Sequence, residues 1–117
     1  MPKIMLVEDD HTMIDLLSTL FSLEGFEVTG LNDFDDTLKA IRAASPDVVL
    51  LDVHLSPSLS GFDVLKALRS DGDLREIKVV MSSGLDFTAQ CQQNGADGFI
   101  LKPYMPNDLI ALIRGLL

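Results

Sequence analysis

Two four-residue runs, Ile4-Met5-Leu6-Val7 and Val48-Val49-Leu50-Leu51, are apolar at every position, and each stops at an acid, Glu8 in the first case and Asp52 in the second. A half-buried strand alternates apolar and polar positions, so a run with no polar position reads as a strand buried on both faces of a helix-covered sheet. Helical stripes separate such runs. Met13, Leu16, Leu17, Leu20 and Phe21 recur at helical spacing from about residue 11, and Gly25 stands where that helix needs a left-handed C-cap. Glu27-Val28-Thr29-Gly30 is short and mixed, which suits an edge strand. A second helix carries Phe34, Leu38 and Ile41 on one face, with Asp33, Asp35 and Asp36 in its first turn, and ends at Ser45-Pro46.

The second half continues the alternation. Gly61 opens a helix with Phe62, Leu65 and Leu68 inward, and Ser70-Asp71-Gly72 ends it. Ile77-Lys78-Val79-Val80-Met81 is the fourth strand, running into Ser82-Ser83-Gly84. A weakly striped helix over roughly 86–94 is followed by the fifth strand, Phe99-Ile100-Leu101, which leads into Lys102-Pro103. A last helix begins near Pro106 or Asn107, and its Leu109, Ile110, Leu112, Ile113, Leu116 and Leu117 offer more apolar surface than one core-facing stripe needs, so an excess face is expected to dock a partner. Strict β-α alternation implies an open, doubly wound parallel α/β sheet covered on both faces, because right-handed crossovers permit little else and a closed barrel needs about eight units. At 117 residues the chain is expected to be one domain, residues 1–117.

Composition narrows the function. Nine Lys and Arg against 18 Asp and Glu give a formal net charge of −9, which repels polyanions, so nucleic acid is not an expected partner. One cysteine, Cys91, excludes an internal disulfide framework and clustered-thiol metal sites. No apolar run reaches the ~20 residues a spanning helix needs. A cytoplasmic chain that does not enter membranes is expected.

An open α/β sheet binds its ligand outside the C-terminal strand ends. Glu8, Asp9 and Asp52 would meet there, and three crowded carboxylates are a liability unless a hard cation bridges them; Mg²⁺ is the natural occupant, with Mn²⁺ the alternative. Lys102 adds positive charge beside an anion, and Ser83 can donate a hydroxyl hydrogen bond. Acids, cation, Lys and Ser describe a phosphoryl site in which a carboxylate can itself be the nucleophile. Taken alone, each residue has a plainer reading: Glu8-Asp9-Asp10 as a helix-start charge run, Ser83 as a turn residue, Phe99 as core, His11 and His54 as exposed histidines. Only the combination lifts Glu8, Asp9 and Ser83 above it, and Asp10 is better read as an N-cap.

Five motifs in order then make the chain resemble the receiver domain of two-component response regulators: Val7-Glu8-Asp9-Asp10, Val49-Leu50-Leu51-Asp52, Gly61-Phe62-Asp63, Met81-Ser82-Ser83-Gly84, and Gly98-Phe99-Ile100-Leu101-Lys102-Pro103. The resemblance implies a flavodoxin-like fold of five parallel strands in the order 2-1-3-4-5 with five helices, an order for which a chemotaxis receiver is a standard example. It implies that Asp52 takes a phosphoryl group from a phosphohistidine of a sensor histidine kinase or phosphotransfer protein. Asp9, Asp52 and the backbone carbonyl of His54 would ligate the metal, with Glu8 acting through water. Ser83 would bind a phosphoryl oxygen, Lys102 would pair with the phosphoryl group or with Asp52, and a cis Lys102-Pro103 bond would aim the Lys. Ser83 and Phe99 would form the switch, altering the surface of the fourth helix, fifth strand and fifth helix, where an effector or a second copy docks.

On this reading the chain is no enzyme in the ordinary sense, assisting only its own phosphorylation and dephosphorylation, and acts either alone or as the receiver part of a longer regulator. The sequence departs from the family in one respect, because Pro57 and Gly61 lie five and nine residues after Asp52 where the family has four and eight, which implies one inserted residue in the loop. Three alternatives stand beside it. A receiver-like interaction module that is never phosphorylated is one. A haloacid-dehalogenase-like phosphatase needs Asp where the chain has Glu8, and a flavodoxin would not place three acids after its first strand.

Overall fold

The computed structural model describes residues 1–31 and 36–117. Strand β1 (Lys3–Val7) leads into α1 (His11–Leu23), β2 (Glu27–Leu31) and α2 (Thr37–Ala44), and then β3 (Val48–Asp52). A short hairpin, β4 (His54–Ser56) and β5 (Leu59–Ser60), precedes α3 (Gly61–Ser70). The chain closes with β6 (Lys78–Ser83), α4 (Thr88–Gln93), β7 (Gly98–Leu101) and α5 (Pro106–Leu116). Five of the strands form one parallel sheet in the order β2-β1-β3-β6-β7, the doubly wound arrangement expected, with the hairpin as a separate antiparallel pair.

The doubly apolar runs do what their composition requires. Met5, Val7, Val49, Leu51, Val79 and Met81 pack on one face under α2, α3 and α4, while Ile4, Leu6, Val48, Leu50 and Val80 pack on the other against α1 and α5. Successive side chains of a strand point to opposite faces, so every apolar position of β1 and β3 finds a core. The mixed strand β2 lies at the sheet edge. Helix α1 is capped by Asp10, whose Oδ1 accepts from the amides of Thr12 at 3.0 Å and Met13 at 3.2 Å, and its exit passes through Gly25 at φ 90°. Among the described residues no helix is long and apolar enough to cross a membrane.

Four expectations need correction. Helix α2 begins only at Thr37, so Asp36 stands before it and no acid lies in its first turn; Asp33, Phe34 and Asp35 fall outside the described residues. Helix α4 is shorter than the expected span, because Gln90, Gln92 and Gln93 are exposed and only Cys91 is buried along it. The loop after Asp52 is a hairpin, stitched by Ser56 Oγ accepting from the Leu59 amide at 3.1 Å. Most of the expected excess face of α5 is consumed by the fold: Leu109, Ile110 and Ile113 are buried, and Leu112 and Leu116 pack on the same core, leaving Leu117 as the exposed remainder. Helix α5 packs on α1 and, through Leu112, beside Gly98 of β7, which demands a broader apolar face than one stripe.

Candidate functional site

The C-terminal ends of β1, β3, β6 and β7 converge on one corner of the sheet. Glu8 follows β1, Asp52 closes β3, Ser83 closes β6 and Lys102 follows β7; the first three are delivered by strands whose preceding residues are locked in the core, and Lys102 by the partly buried edge strand. Carboxylate oxygens of Glu8, Asp9 and Asp52 all lie within 4.8 Å of one another. Glu8 and Asp52 are buried at 5% and 6% exposure, and Asp9 is exposed at the rim.

Lys102 crosses this cluster. Its Nζ donates to Glu8 Oε2 at 2.9 Å and to Asp52 Oδ2 at 3.1 Å, spanning from the β7 edge over the β6 strand end. The Lys102-Pro103 bond is cis, and the Lys102 amide donates to the Ser83 carbonyl at 2.8 Å, which fixes where the Lys stem starts. Backbone amides complete the acids' partners: Asp10 N donates to Glu8 Oε1 at 3.3 Å and His54 N to Asp52 Oδ1 at 3.4 Å.

Electrostatics follow from this packing. Burial, with the adjacent Asp9 hydrogen bond and the Asp52 charge, pushes the Glu8 carboxyl up to about 7 against the opposing pull of Lys102. Burial alone would lower the Lys102 ammonium, yet its contacts with Glu8 and Asp52 outweigh that and hold it above the ordinary lysine range. One cation thus faces three acids. When all are ionised the cluster keeps an excess of negative charge in a partly desolvated corner, built entirely of hard oxygen donors, which is the chemistry that suits Mg²⁺ or Mn²⁺.

The remaining expected residues are placed as follows. Ser83 is buried and its Oγ accepts from the Leu85 amide at 3.2 Å, so the hydroxyl is held by its own loop. Phe99, register partner of Met81, is half-buried against the α3 and α4 side of the core. His54 is exposed, and its ring meets Phe87 edge-on at 5.9 Å, with Phe87 meeting Phe62 at 5.8 Å. This aromatic chain ties the hairpin to the start of α4. Sequence reasoning missed Phe87 as its hub, because nothing in the linear spacing connects residue 54 to residue 87. It also missed how Gly61 seats α3 on the site: the Gly61 amide donates to Val53 O at 2.7 Å, and any Cβ there would lie 2.1 Å from Asp52 O. Glycine one residue beyond the hairpin was the available signal.

Comparison with known proteins agrees with this geometry. The family model described as the response regulator receiver domain matches residues 4–114. The chain is similar to the DNA-binding response regulator MtrA of Mycobacterium tuberculosis, 32% identical over 112 residues that cover 96% of this chain and 49% of that protein. It is similar to the sensory transduction protein RegX3 of Mycobacterium bovis at 37% identity, covering 100% of this chain and 51% of that one. The chain therefore spans about half the length of these relatives. Among solved structures, Vibrio cholerae chemotaxis protein CheY4 superposes with a TM-score of 0.89 at 25% identity, covering 100% of this chain and 99% of that one. The receiver domain of NtrX from Brucella abortus does so at 0.83 and 29%, covering 96% and 95%.

Proposed function

We propose, from the premise that this chain belongs to the response regulator receiver domain family, that it is the phosphoacceptor of a two-component relay and that Asp52 carries the phosphoryl group. The single observation that supports this most is the convergence of Asp52 with Glu8, Asp9 and Lys102 at the sheet's C-terminal corner. Buried acids with one shared lysine contribute little to stability on their own account, since desolvation offsets their attraction. They make sense as a site.

Asp9 and Asp52 would hold Mg²⁺ or Mn²⁺, with the His54 carbonyl as a third ligand and Glu8 acting through water. When bound, the cation supplies positive charge that offsets repulsion between the acids and incoming phosphoryl oxygens. Asp52 is fixed by the β3 backbone and by the His54 amide, so one carboxylate oxygen can be aimed at phosphorus while the other is held. In the transfer, an Asp52 oxygen forms the new bond to phosphorus as the bond to the kinase histidine nitrogen breaks; that nitrogen keeps the electron pair and leaves as neutral imidazole. Lys102, already 3.1 Å from Asp52, pairs with the phosphoryl oxygens that replace the carboxylate charge. Ser83 Oγ accepts from the Leu85 amide and has its hydroxyl proton to donate to a phosphoryl oxygen, and Phe99 turns inward behind it.

The partners implied are a sensor histidine kinase or phosphotransfer protein on the input side and an effector, or a second copy of the chain, on the surface of α4, β7 and α5. Intact mass after incubation with a small acyl phosphate tests the reading. A Mg²⁺-dependent, base-labile phosphoryl adduct on the parent and none on Asp52→Asn is expected; no adduct on the parent favours a receiver-like interaction module instead.

A further inference from the structure

Away from the corner that holds Glu8, Asp9, Asp52 and Lys102, helices α2 and α3 and the β4–β5 hairpin enclose a cleft of about 240 Å³. Its walls are apolar: Leu38 from α2, Leu59 from β5, and Val64 and Ala67 from α3. Its charged groups are two acids, Asp36 before α2 and Asp63 in the first turn of α3, and no Lys or Arg is among its described lining residues. Capping a helix is the plain role of an acid at such positions, and here it is only partly filled. Asp36 stands at the N-cap of α2 without a side-chain cap bond. Asp63 commits one oxygen, Oδ2, to the Ser60 amide at 3.4 Å. Two carboxylates against about half a positive charge at each helix start leave the cleft anionic.

The hairpin wall is fixed in place. The Leu59 amide donates to Ser56 Oγ at 3.1 Å, and Ser60 Oγ accepts from the Phe62 amide at 3.1 Å. This is also the segment in which the chain carries its inserted residue. Pockets that take whole small molecules run to roughly 300–1,000 Å³, so this cleft suits a single long side chain. Apolar walls beside two acids match a side chain with an aliphatic stem and a cationic end. A guanidinium fork offers five donors and can engage two carboxylates at once, where an ammonium acts as one point charge. We propose that the cleft is a docking site for one arginine side chain of a partner protein, its stem against Leu59, Val64 and Ala67 and its guanidinium meeting Asp36 and Asp63. Binding there does not require Asp52 to carry a phosphoryl group.

The probe is N-acetyl-arginine methylamide, added to the whole chain and followed by amide chemical shifts in NMR. Saturable shifts centred on residues 36–38, 59 and 63–67 are expected. Replacing both acids, Asp36→Asn with Asp63→Asn, is expected to weaken binding about tenfold, as is Ala67→Leu, which fills the cleft and keeps both acids. Asp15→Asn with Glu27→Gln, which removes the same charge on the α1 side, is expected to leave binding unchanged. Asp36 and Asp63 are exposed, so the paired Asn variant decides the matter if Ala67→Leu fails to fold. Shifts scattered over the acidic surface, parent-like binding in the paired Asn variant, or capped lysine binding as tightly as capped arginine overturns the proposal. Free arginine binding about tenfold tighter than the capped probe overturns the assignment to a protein side chain.

Discussion

A Cβ at position 61 would stand 2.1 Å from the carbonyl oxygen of Asp52, a contact that only movement of one backbone against the other relieves. Gly61→Ala is therefore expected to cost about 1–3 kcal/mol of stability, in the range of an overpacked core, and to displace Asp52 from Lys102. Urea unfolding checks the first effect and the yield of phosphoryl adduct the second. Glu8 gives a second prediction at this scale. With its carboxyl raised from 4.5 to about 7 in the folded, metal-free protein, the folded state binds its proton more tightly than the unfolded chain does. That contribution to stability is fully present below about pH 4.5 and is lost as pH rises toward 7. In chelator, Glu8→Gln is expected to flatten the stability profile across that window; a profile as steep as the parent's contradicts the assignment.

The elements that hold the corner in place are tied by contacts far apart in the chain. Arg69 on α3 donates from Nε to Gly95 O at 2.9 Å, from Nη1 to Arg75 O at 2.9 Å and Ile77 O at 2.7 Å, and from Nη2 to Asp97 Oδ2 at 2.8 Å. Asp97 also accepts from the Val79 amide at 2.8 Å, so one side chain staples α3 to the starts of β6 and β7. Arg69→Ala is expected to cost about 2–4 kcal/mol, several net hydrogen bonds from an ionised donor of which one is also an ion pair, and urea unfolding measures it. No periodicity announces such a staple, because Arg69 reads as an ordinary charge on the last turn of a helix. The strands were legible for the opposite reason. Ile4 to Val7 and Val48 to Leu51 are apolar throughout because both faces are covered, and composition alone reports that. The hairpin was illegible, since β4 and β5 are three and two residues long and joined through Ser and Pro, where backbone pairing rather than side-chain pattern makes the strand.

At the scale of the molecule, the parallel order β2-β1-β3-β6-β7 turns four separate strand endings into one site; that the endings share one edge was readable from alternation plus the handedness of crossovers, while the order itself came from the family resemblance. The acids at 8, 9 and 52 and the lysine at 102 were readable as candidates. The pairing of Lys102 with Asp52 was implied by the resemblance; that the same lysine also reaches Glu8 was not, because that pairing spans 94 residues and depends on the exact strand ends. The surplus of acid that gives the chain its net charge of −9 thereby divides into a general anionic surface and one crowded corner, the site proposed for phosphoryl transfer. Because the charge repels polyanions, recognition of nucleic acid is not expected of this chain's own surface.

A phosphoryl group proposed to reside on Asp52 can be located by reductive trapping. Borohydride converts an aspartyl phosphate to homoserine, which peptide mass sequencing locates. After treatment with an acyl phosphate and Mg²⁺, homoserine is predicted at position 52 and at no other acid, and it disappears when Mg²⁺ is chelated. Homoserine at position 8 or 9, or at none, would rule out Asp52 as the phosphoacceptor.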